Sequence, residues 1–182
     1  MKLGKTLYIT DRKKWRAWLA RNHAREKEIW LIYYKKHSGR PRIPYNDAVE
    51  EALCYGWIDS TLKRVDHDRT AQRFSPRRPK SFLSETNRER VRRLIKAKTM
   101  TRVGLDKIQA QLNEEFVFAA NIIVELKKDA TMWKHFQGFS ESYQRIRVGW
   151  IDASRQRPEI FQTRLRYFLK MTAQNKKFGM VQ

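Results

Sequence analysis

The chain reads as an α+β protein: a small antiparallel or mixed sheet of about three strands packed with helices, followed by a helical C-terminal region. Three observations carry this. Short β-branched and aromatic runs occur only in the first half of the chain. They are separated by segments whose apolar residues recur at helical spacing. From about residue 116 onward only helical stripes remain, and the strands are too few and too poorly interleaved with crossovers for a doubly wound sheet.

The elements follow in order. Thr10-Asp11 offers an N-cap, after which Trp15, Trp18 and Leu19 share a helical face that ends near Asn22-His23. Glu28 to Lys36 (EIWLIYYKK) is too short for a helix of that apolarity and reads as a strand. HSGRPRIP is a loop by its Gly and two Pro. Tyr45, Ala48, Val49, Ala52 and Leu53 form one helical stripe, with Asp47, Glu50, Glu51 and Cys54 opposite and Gly56 as C-cap. Trp57 to Lys63 and Thr70 to Ser75 read as two strands joined by a polar turn, VDHDR. Pro76 and Pro79 bracket an extended connection. Ser84 caps a helix running through Leu94 and Ile95, and Thr101 caps another through Leu105, Ile108 and Leu112. Beyond lie three stripes: Ile122, Ile123, Leu126; Tyr143, Ile146, Trp150, Ile151; and Phe161, Leu165, Phe168, Leu169, Thr172 after Pro158. The tail NKKFGMVQ reads as frayed. The division expected is an α+β domain over 1–115 and a helical region over 116–182. Gly56-Trp57-Ile58-Asp59 recurs as Gly149-Trp150-Ile151-Asp152, once in a strand pattern and once in a helical one, and is read as coincidence.

The chain has 182 residues, 41% of them hydrophobic and 12% aromatic, enough for a full core and unlike a disordered tail. Forty Lys and Arg against nineteen Asp and Glu give a net charge of +21. Residues 61–110 alone hold fifteen basic and five acidic residues. Such a field draws polyanions: nucleic acid, an anionic membrane surface, or phosphorylated small molecules. One cysteine, Cys54, excludes an internal disulfide and fits a reducing compartment. No apolar run approaches a membrane span, and the N-terminus has no signal-peptide core. The expectation is a cytoplasmic protein without a transmembrane segment.

AVEEALCYGWIDS, then RFSPRRPKS, then a helix opening SETNRERVRRLI, resemble the YdeI/OmpD-associated (bacteriocin-protection) family. WRAWLARNHAREKEIWLIYYKK upstream and SYQRIRVGWIDASRQRPEIFQTRLRYFL downstream fit the same pattern. The resemblance implies a role in protection against bacteriocins or antimicrobial peptides and brings no catalytic mechanism. Family members often carry an aromatic, usually Trp, shortly before the helix-start Ser; here that position is Leu83.

Two candidate sites follow from the residues. Alternation puts Trp57 and Asp59 on one strand face. A carboxylate there needs a partner, and Arg77 or Arg78 is the natural one. Trp57, Asp59, Arg77, Arg78, Ser81 and Asn87 then either converge on a polar ligand or form a bridge from sheet to helix. The helix start at Ser84, with Lys80 before it, could also hold an anion. The second candidate is the basic helix: Arg88, Arg92, Arg93 and Lys96, with Arg90 and Lys98, could lie on phosphates. Cys54, among carboxylates, is a poor nucleophile. His23, His37, His67 and His135 show no metal-ligand spacing, and His67 reads as a turn residue. No Walker loop, GxGxxG or GxSxG occurs. The function expected is therefore a non-enzymatic stress or bacteriocin-protection protein that binds an anionic partner, with no cofactor and no metal. The alternatives are a small-molecule enzyme or sensor using the Trp/Asp/Arg cleft, and a nonspecific nucleic-acid-binding protein supported by charge alone.

Overall fold

A computed structural model describes residues 3–78 and 81–179. Pro79 and Lys80, expected to rigidify and charge the approach to the helix at Ser84, lie outside the described residues. The chain is α+β as the sequence predicts, but the sheet has four strands, in the order β1-β2-β4-β3. The extra strand, β1 (Thr6–Leu7), pairs parallel to β2 (Ile29–Tyr34). Two residues are too few to produce a readable alternation. β2 pairs antiparallel to β4 (Arg69–Pro76), and β4 to β3 (Trp57–Arg64), with a bulge between Asp59 and Leu62.

The described residues divide into two compact units. One comprises 1–82 and 90–113, the other 83–89 and 114–182. In the first unit, α1 (Arg12–Asn22) starts where Asp11 Oδ1 accepts the Lys14 N–H at 2.9 Å. Its Trp15 is fully buried, donates to the Ala48 carbonyl of α2 (Tyr45–Cys54) at 3.0 Å, and meets Phe74 of β4 edge-on. This aromatic contact joins two helices to one sheet face. The opposite face carries a smaller cluster of Trp30, Ile32 and Ala71.

The acidic side of α2 is not a solvated face. Glu51 is 3% exposed and accepts from Arg12 Nε at 2.6 Å and Arg16 Nη1 at 2.7 Å. Arg16 also reaches the Thr99 carbonyl. α2 is thus covered on its apolar stripe by packing and on its acidic stripe by guanidinium groups.

α3 (Glu85–Lys96) begins with Ser84 Oγ accepting the Asn87 N–H at 3.3 Å, as the capping pattern predicts. After Thr101 the expected single helix is two short ones, α4 (Arg102–Asp106) and α5 (Gln109–Leu112). Gly104 lies against the C-terminal carbonyls of α2, where a Cβ would stand 2.3 Å from Cys54 O.

The second unit gathers α6 (Ala120–Lys127), α7 (Ala130–Gly138), α8 (Glu141–Asp152) and α9 (Pro158–Ala173) around Leu126, Phe136, Tyr143, Ile151, Leu165 and Phe168. α7 has no counterpart among the sequence-predicted stripes. The part of the expected frayed tail that is described is docked: the Phe178 N–H donates to Tyr143 Oη, and its ring lies 4.8 Å from the buried Arg147 guanidinium, while residues 180–182 lie outside the described residues. The repeated Gly-Trp-Ile-Asp has two unrelated conformations. Gly56 turns the chain at φ +69°, whereas Gly149 is inside α8.

Candidate functional site

The strand face that carries Trp57 and Asp59 forms a core at one end and a cleft at the other. Trp57 belongs to the core. It is fully buried, its indole N–H donates to the His23 carbonyl at 3.1 Å, and Trp18 meets it edge-on. Two residues along the same strand, Asp59 lies at the N-terminus of α2. There Tyr45 Oη donates to Asp59 Oδ2 at 2.6 Å.

Around this pair opens a cleft of ≈ 510 Å³ lined by Tyr33, Arg42, Tyr45, Asp59, Thr70 and Gln72, with Leu62 at its edge. Register explains the gathering. Tyr33 pairs with Thr70 across β2 and β4, and Asp59 pairs with Phe74 across β3 and β4. Alternation along β4 brings Thr70, Gln72 and Phe74 to one face. The loop before α2 adds Arg42, whose Nη1 donates to the Tyr34 carbonyl at 3.4 Å.

The chemistry of the cleft is that of hydrogen bonding. Tyr33 is 6% exposed, and its hydroxyl has no hydrogen-bond partner among the described residues. A buried unsatisfied hydroxyl costs about 1–3 kcal/mol, so its partner must come from the cleft. Burial pushes the Tyr33 phenol well above its ordinary value, and the charges of Tyr45 and Asp59 add to this. Burial, then the bond to Asp59, does the same to Tyr45. Both phenols therefore keep their protons through the physiological range and act as donors, not bases.

The expected ligand constellation is only partly realised. Arg77 does not pair with Asp59. It is 5% exposed, and its Nη2 donates to the Ser81 and Phe82 carbonyls at 2.8 and 3.1 Å. Gln111 Nε2 reinforces the same Ser81 carbonyl. The carboxylate found a nearer phenol, and the guanidinium found carbonyls that would otherwise be orphaned. Burial lowers the Arg77 pKa without a compensating carboxylate. Arg78 is exposed, and its carbonyl accepts the Ser81 N–H. Asn87 belongs to the second unit and serves the start of α3.

The basic helix is also divided. Arg88 is 6% exposed and is clamped by Glu114, through its carbonyl at 2.9 Å and its carboxylate at 2.7 Å, and by Glu85 at 3.1 Å. It cannot lie on a polyanion as expected. Arg90 is likewise buried and donates to Asn46 Oδ1 at 2.8 Å. Arg92, Arg93 and Lys96 are exposed, Arg93 with a 3.5 Å ion pair to Glu50. Cys54 is fully buried, and that burial raises its thiol pKa, in line with the reading that it is no nucleophile. Leu83, where the resemblance implies an aromatic, is a core residue at 1% exposure.

Sequence reasoning missed Tyr33, Tyr45, Arg42 and Gln72. Alternation within each strand was readable and assigns Tyr33 to the face of Ile29 and Leu31. What was not readable is the register that sets three strands side by side. It also placed Tyr45 on an apolar stripe, although its hydroxyl is the nearest partner of Asp59.

Residues 7–107 match the family model described as a domain of unknown function (DUF8412). Residues 115–175 match the model described as bacteriocin-protection, YdeI or OmpD-associated. The motifs GWIDS and PRRPKS and the whole cleft fall in the first stretch, and the helices α6–α9 fill the second. No curated protein and no solved structure matches the chain.

Proposed function

We propose that this chain, which belongs to the family of that domain of unknown function and whose residues 115–175 match the bacteriocin-protection, YdeI or OmpD-associated model, acts as a receptor for a small polar molecule held in the Tyr33–Tyr45–Asp59 cleft. One observation carries this reading: a buried tyrosine hydroxyl with no partner among the described residues lines a cleft beside a carboxylate bonded by a second tyrosine. Pockets of this size with a few convergent polar groups are the usual form of a ligand site. The ligand is amphoteric. An ammonium or hydroxyl group donates to Asp59, an acceptor oxygen takes the Tyr33 O–H, and an anionic group meets Arg42. With both phenols held in their protonated form and the thiol buried, the cleft has the groups of a binder and no activated nucleophile.

The test is a thermal-shift panel of amino acids, amino sugars and polyols, with their phosphates, on the intact protein. A ligand at a hundred times its Kd adds about 2.7 kcal/mol. At roughly 2–4 °C per kcal/mol for a chain of this size, that is an upward shift of about 5–10 °C. Asp59→Asn and Tyr33→Phe should abolish the shift while leaving the unliganded midpoint within a few degrees. Ligands that stabilise both variants as well as the wild type would remove the cleft from consideration.

A second reading keeps the anionic partner expected from the charge, now on Arg92, Arg93 and Lys96, whose exposure favours it. Its test is the salt slope of nucleic-acid binding, which falls with the number of phosphates contacted.

A further inference from the structure

We infer that His37, His67 and Asp68 form a surface site for a divalent transition-metal ion, of the zinc or nickel class. The three residues come from two separate loops. His37 lies in the 3-10 turn Lys36–Ser38 that follows β2, and His67 and Asp68 are in the turn between β3 and β4. His37 Nε2 stands 3.0 Å from Asp68 Oδ1, and His67 Nδ1 stands 2.7 Å from the same oxygen. One donor atom from each residue lies within 4.8 Å of the other two. The imidazole rings are 4.9 Å apart.

The frame beneath them is built. β2 and β4 pair up to Tyr34 and Arg69, and the Lys35 N–H continues that ladder to the Asp68 carbonyl at 2.8 Å. Asp66 Oδ1 accepts the Asp68 and Arg69 N–H groups at 2.9 and 2.7 Å, which fixes the turn. Gly39, at φ +65°, closes the 3-10 turn, its N–H donating to the Lys36 carbonyl. The backbone thus holds both loops, while all three side chains remain open to solvent, with side-chain exposures of 50, 81 and 53%.

The donor set selects the ion. Two imidazoles and one carboxylate suit zinc, nickel, cobalt or copper; calcium and magnesium ask for oxygen ligands. Metal–donor bonds near 2.0–2.2 Å put tetrahedral donors roughly 3.3 Å apart, within a small side-chain rotation of the separations seen. The nearby cations do not occupy the carboxylate: Arg69 pairs with Asp66, and Lys35 Nζ donates to the His67 carbonyl. Three protein ligands leave at least one position for water, so affinity should be moderate. The bound ion would clip the 36–38 turn to the hairpin.

Isothermal titration of the full chain with Zn²⁺ alone tests this, with Co²⁺ absorption in the visible range as a signature of imidazole and carboxylate coordination. The expected result is one equivalent bound with a micromolar Kd. His37→Gln and His67→Gln should each weaken it by at least roughly tenfold, and the double variant should lose it. All three positions are exposed, so the variants should keep the wild-type circular dichroism. His135→Gln, whose ring faces the Thr172 carbonyl elsewhere, should leave the titration unchanged. Binding that persists in the double variant, or that appears only at millimolar Zn²⁺, would overturn the assignment.

Discussion

Replacing Arg88 by Ala separates structural from surface arginines on α3 more sharply than any other change. The side chain is 7% exposed and makes three charged or charge-assisted contacts, to the Glu114 carbonyl, the Glu114 carboxylate and Glu85. Glu114 is 60% exposed, so its carboxylate returns to water when released, and that pair is worth under about 1 kcal/mol. Glu85 is 6% exposed and, among the described residues, would keep Arg145, at 3.6 Å. Leaving a buried carboxylate with one distant partner costs about 1–3 kcal/mol, and loss of the bond to the Glu114 carbonyl adds roughly 1. The sum, about 3 kcal/mol, lowers the melting midpoint by roughly 6–12 °C for a chain of this length. Arg93→Ala is the control. It removes a half-exposed 3.5 Å ion pair from Glu50, which keeps Arg12 at 3.1 Å, and should cost no more than about 0.5 kcal/mol. Urea unfolding followed by near-ultraviolet circular dichroism reads both, and hydrogen exchange should place the Arg88→Ala loss in 83–89 and 114–178. Equal urea midpoints for Arg88→Ala and the wild type would refute the clamp and return Arg88 to the surface.

Two further outcomes follow from the first unit. Gly104→Ala should destabilise by about 1–3 kcal/mol, because its Cβ would meet the backbone carbonyls of Cys54 and Leu53 at 2.3 and 2.8 Å, and backbone cannot swing aside; an unchanged urea midpoint would mean that α4 does not press on the end of α2. Glu28 accepts from Trp30 Nε1 at 3.0 Å and from Arg73 Nε at 2.7 Å, and these bonds, the indole first, hold its pKa below the usual carboxylate value. A depressed folded-state pKa gives stability that is present above the ordinary value near 4.3 and is lost as pH falls through the folded one. Glu28→Gln should therefore shallow the acid limb of the stability curve below about pH 4.5, and an unaltered limb would show that the pair is not formed.

Local signals carried the fold well and long-range pairing poorly. The β3–β4 hairpin, the caps at Asp11, Ser84 and Thr101, and the start of α9 at Pro158 all follow from residues close in sequence. Asp129 also caps its helix, α7, yet the short segment 130–138 has no stripe strong enough to announce it. The site depended on what alternation cannot give. The sequence offers Arg77 or Arg78 as the partner of Asp59, because charge alone favours an arginine, and Tyr45, on an apolar stripe, gives no signal of its own. Burial decided otherwise: Arg77 answers carbonyls in its own loop, and Tyr45 is brought to Asp59 by the packing of α2 on the sheet. His37 and His67, thirty residues apart, meet only because β2 and β4 pair.

The arginines also change what the net charge of +21 means. Arg12 and Arg16 cover Glu51, Arg77 holds the Ser81 and Phe82 carbonyls, Arg88 clamps Glu114, Arg90 reaches Asn46, and Arg147 lies among aromatic rings. A guanidinium has five donors in a rigid fork, so it can satisfy several acceptors at once where a core is too small to hide them. Part of the arginine count is thus committed to internal contacts, and polyanion binding inferred from composition counts these residues as well. The surplus still sets the long-range field, which steers anions toward the protein. The Tyr33–Tyr45–Asp59 cleft places a carboxylate inside that field. A simple anion drawn in would meet Asp59 and be repelled, and a simple cation would be opposed by the field on approach. A molecule that carries both a donor group for Asp59 and an anionic group for Arg42 satisfies both conditions, which is why the ligand we propose for this cleft combines the two.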